Sequence, residues 1–203
     1  MNVLEHLEPK SVFRFFEEMC AIPHGSRNTK AVSDWCADFA RARGLEYHQD
    51  GDNNIIIIKE AAPGYEAAPP VILQGHLDMV CEQTADCQKD MSREGLDLAV
   101  DGDFVYAKGT TLGGDDGIAV AMALALLDAE GLPHPRLEAV FTVDEEIGLL
   151  GAASIDVTPL KGRQMLNLDS EAEGIFTVSC AGGNTSACLL PLTRAPFDGA
   201  GVT

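Results

Sequence analysis

Apolar residues recur with helical spacing in two segments near the start of the chain. The first set is Val12, Phe15, Phe16 and Met19, and the second lies between residues 28 and 44. Because one face of a helix repeats every 3.6 residues, this pattern predicts two amphipathic helices. Residues 45–49 and 54–59 then flank a turn-rich stretch at Gly51, and the second of these segments is rich in isoleucine. That combination favours a β-hairpin.

The rest of the chain alternates predicted strands with predicted helices. VILQGH at residues 71–76 is a short apolar run typical of a buried strand, and 98–109 reads as a second hairpin. Residues 118–131, rich in Ala and Leu, predict a buried helix. Further strands are predicted at 137–143, 165–168 and 175–179, with a short helix at 149–154. Strands that alternate with helices predict an α/β fold with a mixed, largely parallel central sheet.

Polar side chains follow several of these predicted strands or precede the buried helix. They are His76, Asp78, Asp115, Asp116, Glu145, Glu146 and Asp169. A single acidic strand end is most simply a surface feature, and the same explanation for all of them stays open. However, ligands of α/β sheets bind at the carboxyl ends of the strands, where these residues would meet. A mixture of imidazole and carboxylate groups suits zinc and related divalent ions.

The number of acids at this predicted site indicates two metal ions. Asp115, Glu145, Glu146 and Asp169 would repel one another strongly if no cation separated them. Two divalent ions that share a bridging carboxylate would neutralise this charge. One of the adjacent residues Glu145 and Glu146 can then bind a metal ion, and the other can act as a general base. Asp78 can orient His76 through a hydrogen bond to the imidazole.

The composition of the chain argues against several classes of binding partner. The formal net charge is −18, from 32 acidic and 14 basic residues, which argues against nucleic acid or an anionic membrane as a partner. No stretch approaches the ~20 apolar residues of a transmembrane helix, and the first residues lack a signal-peptide pattern, so we expect a cytoplasmic protein. The glycine loop GTTLGGDDG lacks the lysine of a phosphate-binding loop.

The cysteines and the other histidines are not expected to take part in catalysis. The six cysteines include no CxxC pair, which favours free thiols, and Cys20, Cys36 and Cys188 are expected to be buried. His6, His48 and His134 lie in polar or turn-like segments and are expected at the surface. His24 could line the site, although a structural role is the preferred interpretation.

Five segments together resemble a known family. They are QGHLDMV, GTTLGGDDGIA, TVDEEIGLLGA, NLDSE and CAGG, in this order. This set resembles the aminoacyl-histidine dipeptidases (Xaa-His dipeptidases, peptidase D), a branch of the M20 metallopeptidases. The resemblance implies a three-layer, zinc-peptidase-like catalytic domain that hydrolyses dipeptides with a C-terminal histidine, including carnosine-like substrates.

The resemblance also implies a role for each residue. His76, Asp115 and Asp169 would bind one zinc ion, while Asp115, as the bridge, and Glu146 would bind the second. Glu145 would be the general base and Asp78 would orient His76. A cis peptide bond is implied between Asp115 and Asp116, and Asp116 stands where this branch has asparagine.

Members of this branch are much longer than 203 residues. The resemblance therefore implies that residues 1–183 are the N-terminal part of the catalytic domain, incomplete at its C-terminal side. Residues 184–203 would begin an inserted lid and dimerisation domain, so a homodimer is expected of the full-length protein. A late histidine that completes the second metal site in the family has no counterpart after His134. We therefore expect weak or absent activity from these residues alone.

Two other functions stay open at this level. The first is another M20 amidohydrolase activity, such as that of a tripeptidase or an aminoacylase, because the metal ligands are shared within the family. The second is a metal-binding protein without catalytic activity. The presence of both His76 and Glu145 argues against the second, since a protein that only binds metal needs no unligated base beside its ligands.

Overall fold

A computed structural model of the chain describes residues 3–170, 174–179, 182–183 and 186–193. The helices are α1 (Lys10–Cys20), α2 (Lys30–Ala42), α3 (Gly114–Asp128) and α4 (Leu150–Ser154). The strands are β1 (Glu46–Gln49), β2 (Ile55–Lys59), β3 (Val71–His76), β4 (Leu98–Asp101), β5 (Phe104–Ala107), β6 (Leu137–Thr142) and β7 (Gln164–Asn167). The chain divides into two compact units, residues 1–171 and 172–203. Among the helices of the described ranges, none has the length and apolar character needed to span a membrane.

A mixed sheet forms the centre of the first unit, with its strands in the order β1-β2-β6-β3-β7. β1, β2 and β6 are paired antiparallel, whereas β3 runs parallel to both of its neighbours, β6 and β7. The predicted α/β fold with a mixed sheet is confirmed. Because β6, β3 and β7 point the same way, their carboxyl ends lie side by side at one edge of the sheet.

Both faces of the sheet are covered. Ile55 and Ile57 join the main core with α1, α2 and α3, while Ile56 and Ile58 join a second cluster with Ile155 and Leu160. Side chains of a strand alternate between its two faces, so four consecutive isoleucines can be buried only where both faces are packed. The unbroken apolar run of β2 is explained by this position.

Helix α3 is held at its C-terminal end by charged side chains. Arg14 Nη2 and Arg43 Nε each donate to a carboxylate oxygen of Asp128, at 2.7 Å in both cases. Lys59 Nζ donates to the carbonyl oxygens of Leu127 at 2.9 Å and Ala129 at 2.7 Å. A cation at this end satisfies carbonyls that the helix leaves unpaired and complements its dipole. These bonds anchor the helix whose other end carries Asp115 and Asp116.

Three local predictions were wrong. No strand forms over the described residues 174–179, where Phe176 is 92% and Val178 is 96% exposed, since a strand needs a hydrogen-bonded neighbour. Cys188 is exposed, while Cys20 and Cys36 are buried as expected, and Cys180 lies outside the described residues. His134 is buried, with Nδ1 at 2.7 Å from the carbonyl oxygen of Pro135.

Candidate metal centre

The predicted site residues converge at the carboxyl edge of the parallel strands. His76 ends β3, Glu145 and Glu146 follow β6, and Asp169 follows β7. Helix α3 starts beside this edge and brings Asp115 and Asp116. The structure thus gathers His76, Asp78, Asp115, Asp116, Glu145, Glu146 and Asp169 in one place.

His76 lies at the centre of the group and is 1% exposed. Its Nδ1 is 2.9 Å from the carbonyl oxygen of Asp78, and its Nε2 is 2.9 Å from Asp115 Oδ1. A carbonyl oxygen can only accept a hydrogen bond, so Nδ1 carries a proton and donates it. Nε2 therefore faces the carboxylates, in a position that favours a cation, either a proton or a metal ion.

Potential ligand atoms form two groups that share His76. One consists of His76, Asp115 and Glu146, and the other of His76, Asp116 and Asp169, with the ligand atoms of each group within 4.8 Å of one another. This grouping differs from the predicted first site, in which Asp169 accompanied Asp115. Asp169 nevertheless lies near enough to Asp115 for the Asp115 carboxylate to raise its pKa.

The crowding of acids changes their protonation. Burial and the neighbouring Asp115 raise the pKa of Asp169 to about 6, and burial is the main reason that the pKa of Asp116 is raised to about 7. Burial, followed by the Asp115 charge, also raises the pKa of Glu146. Burial alone would lower the pKa of His76, but hydrogen bonds to Asp78 and Asp115 outweigh it and raise that pKa to about 10.

These shifts combine two physical causes, the burial of the groups and the crowding of like charges. The protein has placed several carboxylates around a single imidazole, and they cannot all be ionised without additional positive charge. Imidazole nitrogen with carboxylate oxygen is a donor set that suits zinc and similar divalent ions. The residues present therefore fit a divalent metal ion, and the fit depends on the chemistry of the donors.

Asp78 connects three segments of the site and is 1% exposed. Its carboxylate accepts hydrogen bonds from Ser26 Oγ at 2.8 Å and from the backbone N–H groups of Glu145 at 3.0 Å and Glu146 at 3.4 Å. Burial raises the pKa of Asp78, but the hydrogen bonds from His76, Glu145 and Ser26 outweigh it and hold that pKa below its ordinary value. Asp78 thus remains an anion that orients both His76 and the glutamate turn.

The turn after β6 places the two adjacent glutamates differently. Asp144 adopts a left-handed conformation with φ 54°, and the carbonyl oxygen of Glu145 accepts from the N–H groups of Gly148 and Leu149 at 2.9 and 3.0 Å. Glu145 Oε2 lies 3.9 Å from His76 Nε2. In the part of the chain that the structure describes, neither group of potential ligands includes Glu145. Its carboxylate is close to the centre but is not one of these ligands.

Sequence reasoning missed the role of Asp116. Its Oδ2 accepts a hydrogen bond from the backbone N–H of His76 at 3.2 Å, and the residue is 1% exposed. A Cβ atom at Gly75 would lie 2.7 Å from this oxygen, so the glycine before His76 makes room for the carboxylate. Gly75, the glycine of QGH, was the feature of the sequence that could have indicated a close contact at this position. The peptide bond between Asp115 and Asp116 is cis, as predicted.

Two further residues near the site are Ser26, which the sequence analysis did not predict, and His24, for which it preferred a structural role. Ser26, which sequence analysis did not single out, donates to Asp78 from a segment 52 residues away, and no local pattern could have indicated this bond. His24 is 3% exposed, and its Nδ1 is 2.6 Å from the carbonyl oxygen of Ile22. These contacts agree with the structural role that was preferred for His24.

Comparison with known proteins identifies the family. Residues 72–184 match Peptidase family M20/M25/M40, and this match includes every residue of the predicted metal centre. The chain is also 38% identical over 194 residues to the cytosol non-specific dipeptidase of Escherichia coli (strain K12), a match that covers 96% of this chain and 40% of the relative. The chain belongs to peptidase family M20/M25/M40.

Solved structures agree with this assignment. Aminoacylhistidine dipeptidase from Vibrio alginolyticus matches with a TM-score of 0.81 and 38% identity, over 84% of this chain and 35% of that one. A tripeptidase from Staphylococcus aureus subsp. aureus Mu50 matches with a TM-score of 0.66 and 22% identity, over 80% of this chain and 44% of that one. The second likeness supports the fold alone. The chain spans well under half the length of each of these proteins.

Proposed function

We propose that this chain carries the metal centre of a dipeptidase that hydrolyses dipeptides with a C-terminal histidine. The observation that carries the proposal is the convergence of His76, Asp115, Glu146 and Asp169 at one edge of the sheet, with Glu145 beside them. The names of the relatives support a dipeptidase, and that of the Vibrio structure supports aminoacyl-histidine substrates. The name of the E. coli relative supports the cytoplasm as the site of the reaction.

Each residue has a proposed role that its position supports. His76, Asp115 and Asp169 would hold one zinc ion, and Asp115 and Glu146 would hold a second. Zinc in this position would polarise the substrate carbonyl and lower the pKa of a water molecule. Asp78 keeps His76 and the glutamate turn in place through the hydrogen bonds described above.

Glu145 is the proposed general base. Its carboxylate accepts a proton from the water molecule while the water oxygen adds to the carbonyl carbon of the peptide bond. The carbon–nitrogen bond then breaks, and Glu145 passes the proton to the leaving amine, which departs as free histidine. Glu145 Oε2 lies 3.9 Å from His76 Nε2, so this carboxylate is beside the centre.

Release of free histidine tests the proposed function. The gene product that carries this chain, loaded with zinc, is expected to release histidine from Xaa-His dipeptides, and a chelator should stop the reaction. Glu145→Gln should lower kcat by about 100-fold or more, because the base is lost while the metal ligands stay. Zinc content, measured by atomic absorption, should be unchanged in this variant.

The outcomes separate the parts of the proposal. Chelator-sensitive release from dipeptides without histidine, at equal efficiency, would overturn the substrate assignment and leave the metal centre standing. Full activity of Glu145→Gln would overturn the assignment of the base. Release that a chelator does not affect would overturn the metal mechanism itself.

A further inference from the structure

A cavity of about 460 Å³ adjoins the candidate metal centre on the side of Glu146. Its walls come from the segments before α2, after β3, before β4 and after β6. They are formed by Gly25, Ser26, Asn28, Met79, Val80, Cys81, Glu82, Met91, Ser92, Glu146 and Ile147. The size is that of a small-molecule pocket, and Glu146 belongs both to this wall and to a group of potential metal ligands.

The lining combines an apolar interior with acidic groups. Met79, Val80, Met91 and Ile147 contribute apolar side chains, and Val80 and Ile147 are 44% and 40% exposed. Glu82 and Glu146 contribute carboxylates. No lysine, arginine or histidine is among the described residues that line this cavity. It is therefore suited to an apolar group that is attached to a cation and unsuited to one attached to an anion.

The walls are held by hydrogen bonds between distant segments. Asn28 Nδ2 donates to the carbonyl oxygen of Ser92 at 3.0 Å, which joins the loop before α2 to the segment before β4. Thr111 Oγ1 donates to the carbonyl oxygen of Val80 at 2.6 Å. Since the cavity is preformed in this way, a ligand would lose little free energy in ordering it.

We propose that this cavity is the subsite for the apolar side chain of the N-terminal residue of the substrate. This inference rests on the proposed dipeptidase function. The N-terminal residue of a dipeptide carries an ammonium group, which Glu82, the lining acid that is not a proposed metal ligand, would attract. The C-terminal residue carries a carboxylate, which Glu82 would repel. The chain thus favours dipeptides whose first residue is of the size and polarity of leucine or methionine.

A comparison of Leu-His with Gly-His tests the subsite. For the gene product that carries this chain, kcat/KM should be greater for Leu-His, since burial of the side chain contributes about 10-fold or more to discrimination. Val80→Trp and Met91→Trp, on different walls, should each lower the ratio of the two kcat/KM values about 10-fold by filling the cavity. Leu132→Trp is the control, because Leu132 lines another cavity of about 440 Å³ and should leave the ratio unchanged.

An unchanged ratio in both tryptophan variants, with folding verified by circular dichroism, would overturn the subsite. Gly-His and Gly-Leu differ in their C-terminal residue. If a tryptophan variant instead lowers the ratio of kcat/KM for Gly-His to kcat/KM for Gly-Leu, the cavity holds the C-terminal side chain, and the proposal is overturned as well. In either case histidine release by the unmodified protein would remain, so that the dipeptidase function would stand without this inference.

Protection of Cys81 tests the subsite without catalysis. Cys81 lines the cavity and is exposed, so iodoacetamide should modify it, as peptide mass spectrometry can measure. Leucinamide, an apolar side chain with an ammonium group, should slow this modification, whereas glycinamide and acetyl-leucine should not. Equal protection by leucinamide and glycinamide, or stronger protection by acetyl-leucine, would overturn the proposal. This measurement holds even if no dipeptide is hydrolysed.

Discussion

Asp78 is a buried carboxylate that connects the segments of the candidate metal centre, and among the described residues it belongs to neither group of potential ligands. Its carboxylate oxygens accept hydrogen bonds from Ser26 and from the backbone of Glu145, and its carbonyl oxygen accepts one from His76. Because these partners belong to separate segments, Asp78 positions an imidazole and the glutamate turn at the same time. Each of these hydrogen bonds stabilises the buried anion.

The substitution Asp78→Asn tests this role. The side chain keeps its size but loses the charge that lies 3.4 Å from His76 Nδ1, and it turns an N–H₂ group toward donors, so the orientation of His76 should weaken although the bond to the Asp78 carbonyl oxygen stays. We expect zinc affinity to fall by about 10- to 100-fold, as is typical when a partner of a ligating histidine is removed. Competition with a chromophoric chelator measures this change.

Ser26→Ala provides the comparison for Asp78→Asn. It removes only one hydrogen bond to the same carboxylate, so zinc affinity should fall much less. Equal zinc affinity in Asp78→Asn and the unmodified chain would contradict the positioning role.

At the scale of elements, a buried polar network attaches the chain that enters β7. Glu138 lies in β6 and is 0% exposed. It accepts hydrogen bonds from Arg136 Nε at 2.7 Å and from the backbone N–H groups of Lys161 and Gly162, each at 2.9 Å. The side chains of β7 itself are exposed, so beside its pairing with β3 this network is a further attachment of the chain that enters the strand, and Asp169 follows two residues after the strand ends.

Glu138→Gln should therefore destabilise the fold. Loss of one partner from a buried ion pair costs about 3 kcal/mol of unfolding free energy, which urea denaturation at neutral pH can measure. The control is Glu60→Gln, since Glu60 pairs with the same arginine but its side chain is 70% exposed. That substitution should cost less than ~1 kcal/mol. Equal effects of the two substitutions would contradict the network.

The same variant has an expected pH dependence. Burial raises the pKa of Glu138, but Arg136 and the N–H groups of Gly162 and Lys161 outweigh it and lower that pKa in the folded state. A lowered pKa stabilises the fold fully above the unfolded value of about 4.3, and the contribution is lost as the pH falls through the folded value. The difference between Glu138→Gln and the unmodified chain should thus be constant near neutral pH and shrink in acid.

At the scale of the whole molecule, the acids of the candidate metal centre are part of the excess of acidic residues that gives a net charge of −18. The centre gathers carboxylates from three separate parts of the fold and places them where they repel one another. A bound divalent ion removes that repulsion, so metal binding and folding are thermodynamically linked. The ligands for the two proposed ions are unequal, because one ion has three protein ligands and the other has Asp115 and Glu146.

The 203-residue chain should accordingly retain about one zinc ion after dialysis, because a site with three protein ligands binds far more tightly than one with two. Zinc at about 100 times its dissociation constant should raise the free energy of unfolding by about 2.7 kcal/mol. His76→Ala should abolish both effects, since this imidazole belongs to both candidate groups. Retention of two zinc ions, or equal stabilisation of His76→Ala, would contradict this expectation.

Local pattern was enough to predict most elements, and it selected side chains that the structure places close together. The spacing of apolar residues identified α1 and α2, the β-branched run identified β2, and polar residues at strand ends identified His76 and Asp169. These features depend on residues close together in the chain, because helix and strand periodicities repeat within a few residues. The ligands could be placed together for a similarly general reason, since parallel strands end at one edge of a sheet.

Contacts between distant segments could not be predicted in this way. The bonds of Ser26 to Asp78, of Asp116 to the backbone of His76 and of Glu138 to the chain before β7 join residues 52, 40 and about 23 positions apart. They depend on the tertiary packing of loops, helices and strands, including the position of β3 between β6 and β7, which no local periodicity encodes. The cavity beside Glu146 arises from the same arrangement. Which side chains can act as ligands follows from the residues, but their partners and neighbours follow from how the strands and loops pack.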